Sequence, residues 1–327
     1  MTLLVSDFSD VELPALPELP GMISGSECRY LYWLSSRLSG KGCAVEVGSW
    51  LGRSSLHIAA GLAARGTALH CFDGFVWAPN DTGKATLPLR PGDDFERYFR
   101  DNVSPFAERI TAHKTKIAQI EWSGDPIEFL FLDAPKKQPE FAHCLRIFGP
   151  ALLPECSYIA IQDYLYFPAY AIAVCMDALG ERVDPAHVVL DGSTVGFRVA
   201  GSLDLGAEKP PGWDLRRWTA DQVNAAWDRI LEPLPVKARE RLEPGRALHL
   251  YDCGAKTAAI AAMKSLPMTA FQQEKIALLA RSHHYLGYPE LFTAAGFPGT
   301  AKQNLLSHAK RLRDWAREQR NLLLLEG

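Results

Sequence analysis

The stretch GCAVEVGSWLGRSS, residues 42–55, decides the fold of this chain. An apolar run over residues 43–47 predicts a buried strand, and its one acidic residue, Glu46, stands just before the strand ends. Gly48 and Gly52 follow at once, ahead of a helix of small residues. Glycine tolerates backbone angles and close approaches that a side chain forbids. A strand, a glycine turn and a helix start together therefore predict a ligand lying against the main chain.

Three further strands of the same kind follow along the chain. Each is apolar, rich in β-branched or aromatic residues, and shows little polar alternation. They are ALHCFD (68–73), IEFLFLD (127–133) and SYIAIQD (157–163). Such strands are buried on both faces, which predicts a parallel sheet with helices above and below. The stretch AHVVLDGSTVGFRVAG (186–201) then predicts an antiparallel hairpin that turns at residues 191–193.

Acidic residues mark the ends of the four predicted strands. Asp73, Asp133 and Asp163 each close a strand, and Glu46 nearly does. The ligand crevice of an open α/β sheet lies outside the carboxyl ends of its strands, so these four side chains are expected around one rim. A single acid after a strand could equally cap the next helix. Four of them in register favour a binding site.

Composition divides the chain into three parts. Residues 1–22 contain the proline-rich run LPALPELP, which predicts an extended N-terminal segment. Residues 23–204 carry the alternating strands and helices of the expected binding domain. Residues 205–327 consist mostly of helix formers and predict a helical C-terminal region, with the run EKPPG at 208–212 as the linker.

Charge and cysteine usage limit the partners of this chain. A formal net charge of -3 provides no basic field for a nucleic acid or an anionic membrane surface. No apolar run reaches the roughly 18 residues of a membrane span, and the N-terminus lacks the basic residues of a signal peptide. The 7 cysteines are an odd number without CxxC spacing, which favours buried thiols in a reducing compartment. We therefore expect a cytoplasmic protein with a small-molecule partner, and neither a nucleic acid nor a membrane.

The spacing E-V-G-S-W-L-G-R-S, with an acid at the end of the next strand, differs from the G-x-G-x-x-G of a dinucleotide site. It resembles the class I S-adenosylmethionine-dependent methyltransferases. The resemblance covers roughly residues 20–200 and is closest to the branch that methylates hydroxyl groups of small molecules and sugars, often with a bound magnesium ion. It implies a doubly wound, mostly parallel seven-stranded sheet with an antiparallel last strand, followed here by the helical C-terminal region.

The resemblance also implies roles for individual residues. Asp73 would accept hydrogen bonds from both ribose hydroxyls of the cofactor, and Glu46 would neutralise its positively charged end. Two aromatic residues after Asp73 would pack on the adenine, although a surface position is an equal alternative for Trp77. The other cofactor-binding candidates, on the glycine turn and after Asp73, are Gly48, Ser49, Gly52, Ser54, Phe75 and Trp77.

The expected chemistry depends on the acids after the last two parallel strands. Asp133 and Asp163 should lie on neighbouring strands, close enough to share a magnesium ion that lowers the pKa of a bound hydroxyl. Metal-dependent members of the family carry a histidine in a D-G-D-H run or an Asp-Asn pair here. This chain instead reads D-A-P-K from Asp133 and D-Y from Asp163. A metal-free reaction with Asp163, Lys136 or His113 as the base is the alternative.

Two other functions are compatible with parts of the sequence. One is a nicotinamide-dependent oxidoreductase on a similar sheet, which the glycine spacing disfavours. The other is a scaffold protein that keeps the cofactor fold and binds a partner through its C-terminal helices. The apolar faces of those helices, for example Leu305, Ala309 and Leu312, must pack on the sheet domain or in a homodimer.

Overall fold

The computed structural model of the chain describes residues 3–79, 81, 84–206, 213–266 and 288–296. Eight strands in that part of the chain form one sheet. They are β1 (Leu4–Ser6), β2 (Cys43–Val47), β3 (Leu69–Asp73), β4 (Ile110–Lys114), β5 (Ile127–Leu132), β6 (Tyr158–Ile161), β7 (Val183–Val189) and β8 (Val195–Val199). Their order across the sheet is β1-β7-β8-β6-β5-β2-β3-β4.

The sheet is parallel except for its last strand in the chain. β8 runs antiparallel to both of its neighbours, β6 and β7. The expected doubly wound sheet of seven strands with an antiparallel last strand is thereby confirmed. The N-terminal segment adds an eighth, short strand, β1, which pairs in parallel with β7 at the edge. β2 and β5 are buried along their whole length, because both of their faces are covered.

Helices cover both faces of the sheet. Within the described residues they are α1 (Gly25–Ser35), α2 (Arg53–Leu62), α3 (Glu96–Asn102), α4 (Gln138–Phe148), α5 (Ala171–Asp177), α6 (Ala220–Leu231), α7 (Val236–Leu242), α8 (Pro244–Asp252), α9 (Lys256–Lys264) and α10 (Pro289–Ala294). Ser24 and Glu27 form a complete capping box at the start of α1. Two orphan N–H groups are satisfied in this way, which fixes where α1 begins.

Two apolar clusters form the core, one on each face. The first joins α1, α2 and α3 to the sheet and includes Leu31 and Phe99. The second joins α4 and α5 to the C-terminal helices and includes Phe141 and Trp227. Because this second cluster runs from β2 into α8 and α9, the described C-terminal helices pack on the sheet and share its core.

Several expectations about the C-terminal region fall on other parts of the chain. The linker at 208–212 and the residues Leu305, Ala309 and Leu312 lie outside the described residues. The boundary after residue 204 and a homodimer through the C-terminal helices stay predictions. Among the described residues, no helix combines the length and the apolar character that crossing a bilayer requires.

Candidate active site

The glycine turn of the opening stretch connects β2 to α2. Gly48 has a φ of +97°. Gly52, the N-cap residue of α2, has a φ of +89°. A Cβ at Gly48 would lie 2.6 Å from the Cβ of Ala134, in the segment after β5. Both the backbone angle and the contact exclude a larger residue at Gly48. The turn therefore passes directly against the end of β5.

Asp73, the last residue of β3, is bound to this turn. The N–H of Trp50 donates to its Oδ2 at 3.0 Å, and the N–H of Phe75 donates to its Oδ1 at 2.7 Å. Each carboxylate oxygen keeps a further lone pair for a ligand hydroxyl. Burial raises the pKa of Asp73, although these two hydrogen bonds act in the opposite direction. The structure thus brings Asp73 and the glycine turn into one place.

Glu46 lies beneath the turn and is completely buried. Its Oε2 accepts hydrogen bonds from Ser55 and Cys71. Burial raises the pKa of Glu46. Its Oε1 and the Oγ of Ser49 are buried and have no hydrogen-bond partner among the residues that the structure describes. Buried polar atoms are nearly always paired, so these two fit a site whose polar ligand would complete them.

The aromatic candidates are packed inside the protein. Phe75 is fully buried, with ring centroids 5.6 Å from Phe95 and 5.1 Å from Phe99. Trp77 is 1% exposed, so the alternative of a surface position is wrong. Its ring stacks on Trp50, with 5.9 Å between centroids and 18° between planes. Packing of these two rings on an adenine stays a proposal.

Trp50 is a residue of this site that the sequence reasoning missed. It lies in the glycine turn with a φ of +43°, a strained angle for a residue with a Cβ. Its N–H donates to Asp73, its ring stacks on Trp77, and its indole Nε1 is buried without a partner. A bulky aromatic residue between two glycines was the signal that could have marked it. Ser54, the other serine of the predicted set, is buried in the first turn of α2.

The acids at the ends of β5 and β6 form a second group beside the turn. The N–H groups of Asp133 and Ala134 both donate to Val47 O at 3.0 Å, which joins this group to the end of β2. Asp163 forms an ion pair with Lys136. The side-chain amide of Gln162, turned with its nitrogen toward the carboxylates, lies 3.2 Å from Asp133 Oδ1 and 2.9 Å from Asp163 Oδ1.

Gln162 is the second residue that the sequence reasoning missed. A polar residue at the end of the apolar strand SYIAI was its signal. The four acids expected on one rim lie at or just beyond the ends of four neighbouring strands, in the order β3, β2, β5 and β6. Asp133 and Asp163 follow paired strands, as predicted.

Charge within this group is tightly coupled. Burial raises the pKa of Asp133 to about 8; Lys136 lowers it and the neighbouring Asp163 raises it. Burial would lower the pKa of Lys136, but attraction to Asp163 and Asp133 outweighs that effect and raises it. The Lys136 side chain is 45% exposed, so solvent reaches its end of the pair and weakens the attraction.

His113 is not brought to this group. It lies on β4, the edge strand, and its ring stacks on Phe72 at 4.3 Å between centroids. His113 Nε2 is 3.0 Å from His70 Nδ1. Three strand spacings separate β4 from β5, about 14 Å at the usual distance between strands. His113 and Asp163 therefore belong to opposite halves of the sheet, and a role of His113 as the base stays a prediction.

The donor set at this rim does not fit a resident magnesium ion. The cation that meets Asp163 is the ammonium group of Lys136. A carboxyl with a raised pKa, as at Asp133, is a poor ligand for a hard cation. In the part of the chain that the structure describes, no three His, Cys, Asp or Glu side chains are grouped so that they could hold a metal.

Comparison with known protein families gives a match over the part of the chain that forms this site. Residues 45–164 match a family model described as a methyltransferase domain. That range begins within β2 and ends just after Asp163, so it contains both the glycine turn and the acid group. Residues 45–164 are thereby identified as a methyltransferase domain. No curated protein sequence matches this chain.

Solved structures that resemble this methyltransferase domain are distant. They include an S-adenosylmethionine-dependent O-methyltransferase from Thermotoga maritima, at 13% identity over 44% of this chain and 45% of that one, with a TM-score of 0.32. A putative caffeoyl-CoA O-methyltransferase from Staphylococcus aureus matches at 10% identity over 56% and 86% of the two chains, with a TM-score of 0.40. A methyltransferase from Podospora anserina, solved with S-adenosylhomocysteine, matches at 15% identity over 54% and 80%, with a TM-score of 0.38. This chain covers less than half of the Thermotoga protein, and the likenesses carry no conclusion about substrate.

Proposed function

We propose that this methyltransferase domain transfers a methyl group from S-adenosylmethionine to a hydroxyl oxygen of a small molecule or sugar. One observation carries the proposal: the turn that Asp73 holds also touches the segment that carries Asp133 and Lys136. A cofactor site and a site for proton transfer therefore adjoin across a single turn. The two sites must adjoin in this way if a methyl donor is to be aligned with an acceptor oxygen.

The cofactor end of the site has the groups that such a molecule needs. Asp73 would accept the two ribose hydroxyls through its remaining lone pairs. Glu46 Oε1 and Ser49 Oγ would bind the polar end that carries the amino group. Gly48 leaves room for the ligand to lie against the backbone. Trp77 and Phe75 would support the adenine from the protein side.

The acceptor end supplies the proton transfer. When bound, S-adenosylmethionine brings a methyl group that its sulfonium has already activated, so the protein must provide alignment and an ionised oxygen. Burial raises the pKa of Asp133 to about 8, which is close to neutral pH, so the ionised form of this carboxyl is a strong enough base to accept the hydroxyl proton. Lys136 then stabilises the oxygen anion by its charge. Gln162 holds Asp133 and Asp163 side by side.

Magnesium has no step in this mechanism. The positive charge that a metal would bring near the acceptor oxygen comes from Lys136, which already pairs with Asp163. Chelation with EDTA should leave the rate unchanged, and a loss of turnover restored by Mg²⁺ would contradict this part of the proposal.

Two measurements test the function. Calorimetry should detect binding of S-adenosylhomocysteine and no binding of NAD. Transfer of tritiated methyl groups from S-adenosylmethionine to a panel of catechols, phenols and sugars should then label an oxygen of at least one compound. Binding of NAD without S-adenosylhomocysteine would overturn the proposal. Binding of S-adenosylhomocysteine without any transfer would favour the scaffold function.

Variants separate binding from chemistry. Asp133→Ala and Asp163→Ala should keep the affinity for S-adenosylhomocysteine and lose at least 100-fold in turnover, about the contribution of positioned acid–base groups. Asp177→Ala is the matched control, because Asp177 is the last residue of α5 and pairs with Arg229 on α6 rather than with a residue of the acid group. Unchanged product formation in Asp133→Ala would remove this residue from the mechanism.

We also infer a reducing compartment such as the cytoplasm. In the described part of the chain, which contains all 7 cysteines, none forms a disulfide bond, and 5 of them are buried. Buried thiols outside disulfide bonds are typical of proteins in such compartments. Secretion of the active protein with disulfides formed between these cysteines would contradict the inference.

A further inference from the structure

The turn between β7 and β8, residues 190–194, lies beside the acid group of the active site. The N–H of Leu165, two residues after Asp163, donates to Ser193 O at 3.0 Å. The N–H of Tyr166 donates to Asp163 O at 3.1 Å, so residues 163–166 form a turn. The position of the turn therefore determines where the segment that carries Asp163 can lie.

α1 holds this turn from one side. Glu27 Oε1 accepts a hydrogen bond from the N–H of Ser193 at 2.8 Å and from Thr194 Oγ1 at 2.7 Å. A Cβ at Gly192 would lie 2.4 Å from the Glu27 carboxyl carbon, so the turn passes in close contact with this side chain. Glu27 is 3% exposed, and its bonds are correspondingly protected from water.

Arg241 holds the turn from the other side. It lies on α7, in the C-terminal region, and donates through Nη1 to Gly192 O and through Nη2 to Ser193 Oγ at 2.9 Å. These contacts join residues 48 or more positions apart in the sequence. A guanidinium has donors in a fixed fork, so two simultaneous bonds fix both the position and the direction of the turn.

At the position of Arg241, an arginine would destabilise the folded protein unless its guanidinium formed hydrogen bonds. Its Nε is buried and has no hydrogen-bond partner in the described part of the chain. Burial lowers the pKa of Arg241, while the nearby Glu27 and Asp191 act against that shift. A partly desolvated cation needs compensation from its surroundings. The two bonds to the turn and the negative charge of the two carboxylates provide it.

We propose that Arg241 is a positioning residue for the acceptor side of the methyltransferase site. It acts through the turn on the segment of Leu165 and Asp163, and so on the ion pair of Asp163 with Lys136. The C-terminal helical region is then a working part of the enzyme, because its α7 sets the geometry at which the acceptor is held. This inference rests on the proposed function for its effect on turnover.

Three variants of the full-length chain test the proposal. Arg241→Ala removes both bonds, and Arg241→Lys keeps the charge and at most one of them. Arg239→Ala is the matched control: Arg239 lies on the same helix, and among the described residues its side chain donates to Leu234 O and Glu232 O, both in the C-terminal region. All three should bind S-adenosylhomocysteine within twofold of the wild-type chain, since none touches the glycine turn.

Hydrogen exchange measured by mass spectrometry gives a readout that needs no acceptor. In Arg241→Ala, peptides covering residues 163–168 and 190–195 should exchange faster, while a peptide covering residues 43–47 should not change. Arg239→Ala should leave all three as in the wild-type chain. Equal exchange in Arg241→Ala and the wild-type chain would show that Arg241 does not hold the turn.

Turnover decides whether this restraint serves the reaction. With the best acceptor of the panel, Arg241→Ala should lower kcat by roughly 10- to 100-fold, as expected for a small misplacement of reacting groups, and leave the KM for S-adenosylmethionine unchanged. Arg241→Lys should recover part of that loss. Wild-type kcat in Arg241→Ala, or the same loss in Arg239→Ala, would overturn the proposal. Absence of any transfer by the wild-type chain would instead refute the proposed function, and the exchange data would still decide whether Arg241 holds the turn.

Discussion

At the scale of one residue, a substitution of Asp73 can test its hydrogen bonds and its proposed role in ligand binding. Asp73 joins the glycine turn to the segment after β3, and in the proposed function it binds the ribose. In Asp73→Asn the amide nitrogen must face one of two N–H donors, so one of those bonds is lost. We expect the affinity for S-adenosylhomocysteine to fall by roughly 10- to 100-fold, or about 1.4 to 3 kcal/mol.

Calorimetry on Asp73→Asn and on Asp177→Asn provides the comparison. Asp177, at the end of α5, pairs with Arg229 on α6, and its variant should bind the ligand as the wild-type chain does. An affinity for S-adenosylhomocysteine within twofold of wild type in Asp73→Asn would remove Asp73 from the ligand site.

His249 is a second residue with a defined state. Trp227 Nε1 donates to its Nδ1 at 3.3 Å, so Nδ1 is an acceptor, and Nε2 carries the proton and donates to Leu215 O at 3.1 Å. Burial lowers the pKa of His249 to about 4, against the attraction of Asp252. The folded protein therefore keeps this ring neutral at pH values where the unfolded chain would protonate it.

The consequence is a loss of stability in acid. The folded pKa of His249 lies below its unfolded value, so the unfolded chain binds more protons as the pH falls from about 6.5 toward 4, and the free energy of unfolding decreases over that window. Between pH 7 and pH 5 the expected loss is about 2 kcal/mol. Urea unfolding should show a smaller loss in His249→Asn, although that variant starts less stable at pH 7. An equal loss in both proteins would contradict this role of His249.

At the scale of an element, the glycine turn is fixed both by its own angles and by its neighbour. In Gly48→Ala a left-handed φ with a Cβ is unfavourable by about 1–2 kcal/mol. The contact with Ala134 adds about 1–3 kcal/mol, because both partners are backbone or short side chains that cannot move aside. We expect a stability loss of about 2–5 kcal/mol and no binding of S-adenosylhomocysteine.

Gly66 provides the control for this prediction. Its φ of +66° is also left-handed, but a Cβ there would meet nothing within 4 Å. Gly66→Ala should therefore lose only the conformational part, about 1–2 kcal/mol, and keep the ligand. Chemical denaturation and calorimetry of both variants give the comparison, and equal losses would show that the contact with Ala134 is unimportant.

The strands were predictable because burial on both faces leaves a direct mark on the sequence. CAVEV at 43–47 is β2 residue for residue, and its neighbours differ from prediction by one or two positions at their ends. The short β1 carries no such mark, because two of its three residues are exposed at the sheet edge. Its pairing depends on β7, which lies far along the chain.

Side-chain partners from distant segments were not predictable. Lys136 was expected near the acids, but its pairing with Asp163 depends on how two loops leave neighbouring strands. Gln162 and Arg241 act through contacts that only the folded chain creates. The distance of His113 from the acid group was not predictable either, since sequence position alone does not give the order of strands across a sheet.

At the scale of the whole molecule, the continuous core predicts that the C-terminal helices and the methyltransferase domain unfold together. Trp227, on α6, is completely buried, and a Cβ at Gly245 would lie 2.5 Å from its ring. Trp227→Ala leaves a large cavity and should lower the stability by about 3–5 kcal/mol. If the core is shared, that loss must also appear in the part of the protein that binds S-adenosylhomocysteine.

Thermal unfolding followed by two probes tests this coupling. Loss of S-adenosylhomocysteine binding and loss of helical circular dichroism should occur at one temperature in the wild-type chain, and both should shift down together in Trp227→Ala. Lys256→Ala is the control, because its pair with Glu290 is more than half exposed on both sides, and exposed ion pairs contribute little to stability. In Trp227→Ala, the midpoint for loss of S-adenosylhomocysteine binding could stay at its wild-type temperature while the helical signal is lost at a lower one. That result would show that the two regions unfold independently, because removal of Trp227 from a shared core would destabilise both.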